Sequence, residues 1–201
     1  MPKSEVYAVI ESDLNSAISA LPAQKSTDGR ATSFTAHALL GKVYLYQQKY
    51  AEAANILEPL VGLYTLPSDP GSVFLVSGEN GPEAVFEIQH SKESNGWNWG
   101  WMPQSTEGNF GVIHHGIRGY SGPTYSSGWS FNVPTDEFHK AFRSDDKRRD
   151  ASILDIVKWA DDNQADYQEG YEHTGYFNNK YIPRQGYSKN TTELDYENNY
   201  R

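Results

Sequence analysis

The stretch from residue 32 to residue 64 constrains the fold most, because it predicts two antiparallel helices joined by a short turn. Gln47, Gln48 and Lys49 form the polar break between the helices. On either side of that break, apolar residues recur at the spacing of one helical face. They are Ala36, Leu39, Leu40, Val43 and Tyr44 in the first half, and Ala53, Ala54, Leu57, Leu60 and Val61 in the second.

Small residues in this hairpin predict a close approach of its two helices. Gly41 follows Leu40, and Ala53 lies on the opposing helix. The order of small and large residues matches a degenerate tetratricopeptide unit, although an ordinary helical hairpin is the alternative. Such a pair cannot bury its apolar faces alone and needs neighbours.

Thr32 stands where an N-cap belongs, so its hydroxyl is expected to accept a bond from a free backbone N–H.

Other segments complete a mainly α prediction with a few short strands. Residues 4–21 carry one apolar stripe and predict a first helix, with Ser4 as its N-cap. Alternation in residues 83–89 predicts a strand with Ala84, Phe86 and Ile88 on one face, and residues 151–157 predict another. Thr135 is positioned to cap a short helix near 135–143. The chain thus divides into a helical part, 1–66, and a loop-rich aromatic part, 67–201, which we expect to belong to one domain.

Composition excludes several classes of function. The net charge is −9 and no basic stripe is present, which argues against binding to nucleic acid or to anionic lipid. The absence of cysteine removes disulfides, thiol catalysis and zinc–thiolate sites from this chain. No apolar run approaches the roughly 20 residues that cross a bilayer.

Aromatic residues concentrate in a glycine-rich segment, 96–131, that shows no helical period. Trp97, Trp99 and Trp101 alternate with Asn98 and Gly100, which places the three indoles on one side of an extended chain. Flat pyranose faces expose C–H groups that pack on such rings. We therefore predict a glycan-binding site there, with a second wall and polar partners from nearby residues. The predicted site residues are Trp97, Asn98, Trp99, Trp101, Tyr120, Tyr125 and Trp129, with Asn109 and Arg118 as further partners for sugar hydroxyls.

The alternative for these aromatics is purely structural packing beneath the loops. Metal and catalytic patterns are weak by comparison. Adjacent residues such as His114 and His115 diverge, so one ion rarely binds both. The acidic run 161–166 lacks the glycine and distal glutamate of an EF-hand loop. No phosphate loop, dinucleotide fingerprint or nucleophile elbow is present. We predict no metal, no cofactor and no catalysis, although the many acids leave a glycosidase pair possible.

Four segments in order resemble the SusD/RagB family of outer-membrane glycan-binding lipoproteins. They are DLNSAISALP at 13–22, GRAT at 29–32 leading into the hairpin, EAVFEI at 83–88, and VPTDEF at 133–138 followed by AF at 141–142 and DDKRR at 145–149. The resemblance implies a partial SusD-like α superhelix carrying a long irregular portion. Family members begin with a lipidated cysteine and continue into further helices, so this chain is expected to be an internal fragment with under-covered apolar helix faces.

The same resemblance implies the function. We expect non-catalytic capture of oligosaccharide or polysaccharide at the outer-membrane surface, followed by hand-over to a SusC-like TonB-dependent transporter. The membrane would be reached only through a lipid anchor that this chain lacks. The alternatives are a helical-repeat scaffold that binds another protein, and a carbohydrate-active hydrolase.

Overall fold

The structure, a computed structural model, describes residues 1–93, 108–170, 172–188 and 196–200. They divide into two compact units. The helical unit comprises residues 1–66 and 80–88, and the loop unit comprises residues 67–79 and the described residues of 89–200. The described elements confirm a mainly α fold with few short strands.

Three helices form the helical unit: α1 (Lys3–Ala20), α2 (Ser33–Tyr46) and α3 (Tyr50–Leu57), which a 3₁₀ turn extends over Glu58–Leu60. α2 packs against both α1 and α3. Gly41 lies on the α2–α3 contact, where a Cβ would stand 2.5 Å from Cγ of Leu57. The missing side chain therefore permits the close approach that the sequence predicts. Among the described helices, none has the length and apolarity needed to cross a membrane.

Apolar surface remains exposed on the helical unit, as the sequence predicts. α1 has no fully buried residue, although the apolar residues in its C-terminal half are mostly half-buried. Leu39, Leu45 and Tyr50 are exposed on α2 and α3, and so is Val61 just beyond them.

The cap of α2 is confirmed, but that of α1 is not. The Thr32 hydroxyl accepts the Thr35 N–H at 3.2 Å, and the Thr35 hydroxyl accepts the Thr32 N–H at 3.2 Å. α1 instead begins at Lys3 with Pro2 as N-cap and no side-chain cap, so the prediction for Ser4 is wrong. The fixed φ of proline already suits a helix start, which leaves no role for a serine two residues later.

Thr32→Ala is therefore expected to lower the free energy of unfolding by about 1 kcal/mol, because the Thr35 N–H at the start of α2 loses its acceptor. Ser4→Ala is the matched control and should leave the free energy of unfolding unchanged. Urea unfolding of the two variants checks this, and equal midpoints would contradict the capping role of Thr32.

The predicted strand over residues 83–89 is wrong. Ala84 closes a turn by donating to the carbonyl of Gly81, and the segment holds only an isolated bridge position at Ile88. Phe86 and Ile88 are exposed, whereas Glu87 is buried. Alternation alone therefore misassigned both the element and its buried face, since a strand needs a paired neighbour to fix which side is covered.

The loop unit contains 3₁₀ turns at Ser72–Phe74 and Val76–Gly78, then α4 (Gly111–His114), α5 (Asp136–Ala141), α6 (Lys147–Ser152), β1 (Ile153–Asp155), α7 (Ile156–Asn163) and β2 (Tyr176–Asn178). The Thr135 hydroxyl caps α5 by accepting the Phe138 N–H, as predicted. The predicted strand over 151–157 is shorter, because helices flank β1 on both sides. β1 pairs antiparallel with β2, with Leu154 opposite Phe177.

Two apolar clusters hold the loop unit together. The larger contains Ile117, Tyr120, Tyr125, Leu154, Ile156, Ala165, Phe177 and Ile182. The smaller contains Val112, Ile113 and Tyr196. Because Val112 and Ile113 belong to α4, one side of this short helix is anchored and the other is left for the surface.

Candidate functional site

An exposed group of aromatic rings lies on the outer side of α4. Phe110, His114, Trp129 and Phe131 form it, and we call these four residues the aromatic platform. The His114 ring centroid lies 4.9 Å from that of Phe110 and 4.9 Å from that of Trp129. Phe131 stacks on His114 at 5.8 Å and meets Trp129 edge-on at 5.9 Å. Phe110, Trp129 and Phe131 are 38%, 36% and 53% exposed.

Helical spacing places the first two rings together. Phe110 is the N-cap of α4 and His114 is four residues later, so their side chains share one face. Val112 and Ile113 point the opposite way into the smaller apolar cluster. The helix therefore orients the platform by burying its other face.

Backbone hydrogen bonds hold the other two rings. The N–H of Trp129 donates to the carbonyl of Ile113 at 2.9 Å, and the N–H of Phe131 donates to that of His114 at 2.8 Å. Ser130 between them has φ +59° and donates to Gly116 at 2.8 Å. The carbonyls at the end of α4 are thus satisfied by the loop that carries the aromatics, which fixes the loop against the helix.

A contact between two glycines permits this arrangement. A Cβ on Gly128 would lie 2.3 Å from Cα of Gly116 and 2.6 Å from the carbonyl oxygen of Ile113. A Cβ on Gly116 would lie 2.6 Å from Cα of Gly128. These three atoms all belong to the backbone, which cannot move aside as a flexible side chain can. The platform depends on two residues without side chains.

Arg118 supplies polar groups next to the platform. Its Nη2 donates to the carbonyl of Trp129 at 2.8 Å, and its own N–H donates to the Ser130 hydroxyl at 2.9 Å. The residue is exposed, so the guanidinium can reach water near the loop that carries Trp129.

Three predicted partners lie elsewhere. Tyr120 and Tyr125 are buried in the larger apolar cluster, so their faces are not available as a second wall. The Tyr120 hydroxyl donates to the carbonyl of Pro123 at 2.6 Å and accepts the indole N–H of Trp159 at 2.9 Å. Asn109 is buried too, and its amide bonds the carbonyl of Asn198 and the N–H of Gly111. Burial with satisfied polar groups makes all three structural.

Four predicted residues, Trp97, Asn98, Trp99 and Trp101, lie outside the described residues. Trp129 remains from the original set, and the structure adds Phe110, His114 and Phe131 to it. Alternation of Trp129 and Phe131, and the four-residue spacing of Phe110 and His114, were signals that sequence reasoning did not use.

The histidine pair diverges, as predicted. His114 joins the platform, while His115 is half-buried and burial lowers its pKa below the usual value. Within the described ranges, no group of three histidines or acids is placed to hold a metal ion. In the acidic run, Asp162 pairs with Lys158 at 2.5 Å.

A groove of about 870 Å³ lies beside α5. Phe138 and Phe142 give it an apolar side. Its arginines are already paired, Arg143 with Asp145 at 2.9 Å and Arg148 with Asp146 at 2.6 Å. Hydrogen bonds from Arg148 lower the pKa of Asp146 to about 2. These local pairs occupy both arginines, and the ammonium of Lys180, also in the lining, lies 4.9 Å from the Phe74 ring centroid. The platform, which exposes three aromatic rings to water, is the stronger candidate site.

Solved structures resemble the chain over nearly all of its length. A protein described as a laminarin-binding SusD-like protein is 36% identical, with a TM-score of 0.84 over 98% of this chain. The chain belongs to the SusD-like family. Surface glycan-binding protein A from Bacteroides fluxus is 28% identical, with a TM-score of 0.85 over 98% of the chain. Its counterpart from Bacteroides thetaiotaomicron, solved with laminarihexaose, is 24% identical and supports the fold alone, at a TM-score of 0.84 over 98% of the chain.

This SusD-like chain spans about half the length of these proteins: 46%, 43% and 46% respectively. No protein-family model and no curated protein sequence matches the chain.

Proposed function

We propose that this SusD-like chain is part of a protein that captures a glucan at the cell surface without cleaving it. The exposed aromatic platform is the observation that carries this proposal. Support also comes from the 36% identical structure, whose description names laminarin as its ligand. Laminarin and laminarihexaose are therefore the probes with which the proposal begins.

Binding would rest on ring faces and a few hydrogen bonds. An enclosed aromatic buries roughly 150–250 Å², and a sugar covers one face of it. At about 25 cal/mol per Å² each ring contributes roughly 2 kcal/mol before association costs. Trp129 and Phe131 together would supply about 4 kcal/mol, which corresponds to roughly millimolar affinity, and Arg118 would donate to hydroxyl groups. Trp97, Trp99 and Trp101 remain proposed glycan contacts from the sequence, with Asn98 among the polar partners.

Weak capture suits a protein that releases its ligand again. We extend the proposal to hand-over of the glucan to a SusC-like TonB-dependent transporter in the outer membrane, as the family resemblance implies. Rapid dissociation at such affinities would allow transfer without input of energy.

The test is binding of laminarin and laminarihexaose to Trp129→Ala, measured by affinity electrophoresis and calorimetry. We expect at least a tenfold loss of affinity, since about 2 kcal/mol of stacking is removed. Tyr46→Ala removes a more exposed aromatic from the helical unit, 68% against 36% for Trp129, and should bind as the parent does. Unchanged binding by Trp129→Ala would exclude the platform, and release of reducing sugar from laminarin by the parent would contradict the non-catalytic assignment.

A further inference from the structure

A second cavity in the loop unit, of about 530 Å³, combines aromatic and cationic side chains. This size falls within the roughly 300–1,000 Å³ typical of small-molecule sites. Its walls include Tyr125, Lys147, Trp159, Asn179 and Arg184. None of these residues belongs to the aromatic platform, so the pocket is a separate feature that does not depend on the proposed function.

Arg184 is the charged centre of the pocket. Its guanidinium carbon lies 5.0 Å from the ring centroid of Tyr125, and its Nη2 donates to the side-chain oxygen of Asn179 at 3.0 Å. Its Nε is shielded from water and has no acceptor. Among the described residues, no carboxylate lies within 4 Å of this guanidinium. A half-buried cation without an anionic partner is costly, because it has lost water and gained only neutral acceptors.

The acids that border the pocket contact groups other than Arg184 and Lys147. Asp150 pairs with Arg149 at 2.7 Å, and Asp69 accepts the backbone N–H of Gly71 at 2.8 Å, a neutral donor that leaves the carboxylate charge in place. Lys147 lies on the rim, and no acid of the described residues pairs with it. In a chain of net charge −9, the pocket therefore presents two cations that an incoming anion can meet.

Backbone strain marks the same wall. Thr124 has φ +72°, a conformation that β-branched residues rarely adopt. Hydrogen bonds from the next segment hold it there: the Gln185 N–H donates to the carbonyl of Thr124 at 2.9 Å, and the Gln185 amide donates to Gly122 and Tyr125 carbonyls at 2.8 and 3.1 Å. Strain maintained by surrounding bonds is concentrated at binding sites.

The structure also offers a ring surface beside these cations. The indole of Trp159 is half-buried, with its N–H bonded to the Tyr120 hydroxyl, and its ring lies 5.0 Å from that of Tyr125. The indole is thereby held in one orientation at the pocket wall. We propose that this pocket binds a hexuronate unit of an acidic oligosaccharide, with the pyranose against Trp159 and the carboxylate between Arg184 and Lys147. Guanidinium groups suit planar carboxylates, with which they can form two parallel hydrogen bonds.

Calorimetry with trigalacturonate and with its methyl ester tests the proposal, since the two differ in charge but hardly in shape. We expect trigalacturonate to bind at least tenfold more tightly than the ester, and its affinity to fall between 50 and 500 mM NaCl. Arg184→Gln should reduce affinity at least tenfold and Arg184→Lys less. Lys147→Gln should reduce it about threefold, while Lys42→Gln, an exposed lysine of the helical unit, is the matched control.

Equal affinity for acid and ester, or no binding of either, would overturn the proposal. So would competition by inorganic sulfate at the concentration at which trigalacturonate binds, because the pocket would then be a general anion site. If Arg184→Gln fails to fold, as judged by its thermal unfolding, the result with Lys147→Gln decides: unchanged affinity counts against the pocket. Trp129→Ala should still bind trigalacturonate, and Arg184→Gln should still bind laminarin. These two results would show that the sites are separate.

Discussion

Gly128→Ala is expected to be the most damaging small substitution in the loop unit, lowering the free energy of unfolding by about 3 kcal/mol. The new methyl group would lie 2.3 Å from Cα of Gly116 and 2.6 Å from the Ile113 carbonyl oxygen. Neither atom can move without breaking the hydrogen bonds from Trp129 and Ser130 that fix the platform. We therefore expect both stability and laminarin affinity to fall.

Gly170→Ala is the matched control in the same unit. A Cβ there would meet its nearest neighbours at 3.9 Å, an ordinary contact, so stability should stay within about 0.5 kcal/mol of the parent. Chemical denaturation and laminarin calorimetry on both variants give the comparison. A Gly128→Ala protein as stable as Gly170→Ala would show that the two backbone segments are not packed as described.

The helices could be predicted because their signals are local. Residues 32–64 carry the period of one apolar face, and the hydroxyls of Thr32 and Thr135 cap helices within three residues of themselves. Elements that depend on distant partners were predicted less well. The alternation in residues 83–89 resembles a strand, yet sequence spacing cannot state whether a neighbouring strand pairs with it.

The candidate site shows the same division. Tyr125 and Trp129 are four residues apart in one glycine-rich stretch, yet Tyr125 is buried and Trp129 is exposed. What separates them is contact with remote residues, since Trp159 and Arg184 pack on the Tyr125 ring. Composition indicated that aromatic residues concentrate in this stretch. It could not indicate which rings the rest of the chain would cover.

A pair of phenylalanine substitutions separates core from surface in the loop unit. Phe177→Ala is expected to lower the free energy of unfolding by about 3–5 kcal/mol, because it opens a cavity where β1, β2 and α7 meet. Phe177 is 1% exposed and Phe131 is 53% exposed, although both are phenylalanines of the loop unit. Phe131→Ala should therefore cost less than about 1 kcal/mol, since water already reaches half of its ring.

Laminarin binding should show the reverse order: the variant that keeps its stability should lose affinity, and the destabilised variant should keep it. Phe131→Ala removes a ring of the platform and is expected to weaken laminarin about tenfold, with its thermal unfolding little changed. Phe177→Ala, measured well below its lowered unfolding temperature, should retain affinity, because Phe177 lies in the larger apolar cluster and has no place in the platform. Loss of stability without loss of binding in one variant, and the reverse in the other, would assign Phe131 to ligand contact. If Phe131→Ala kept full affinity, the glucan surface would have to reside on Trp129 and its remaining neighbours.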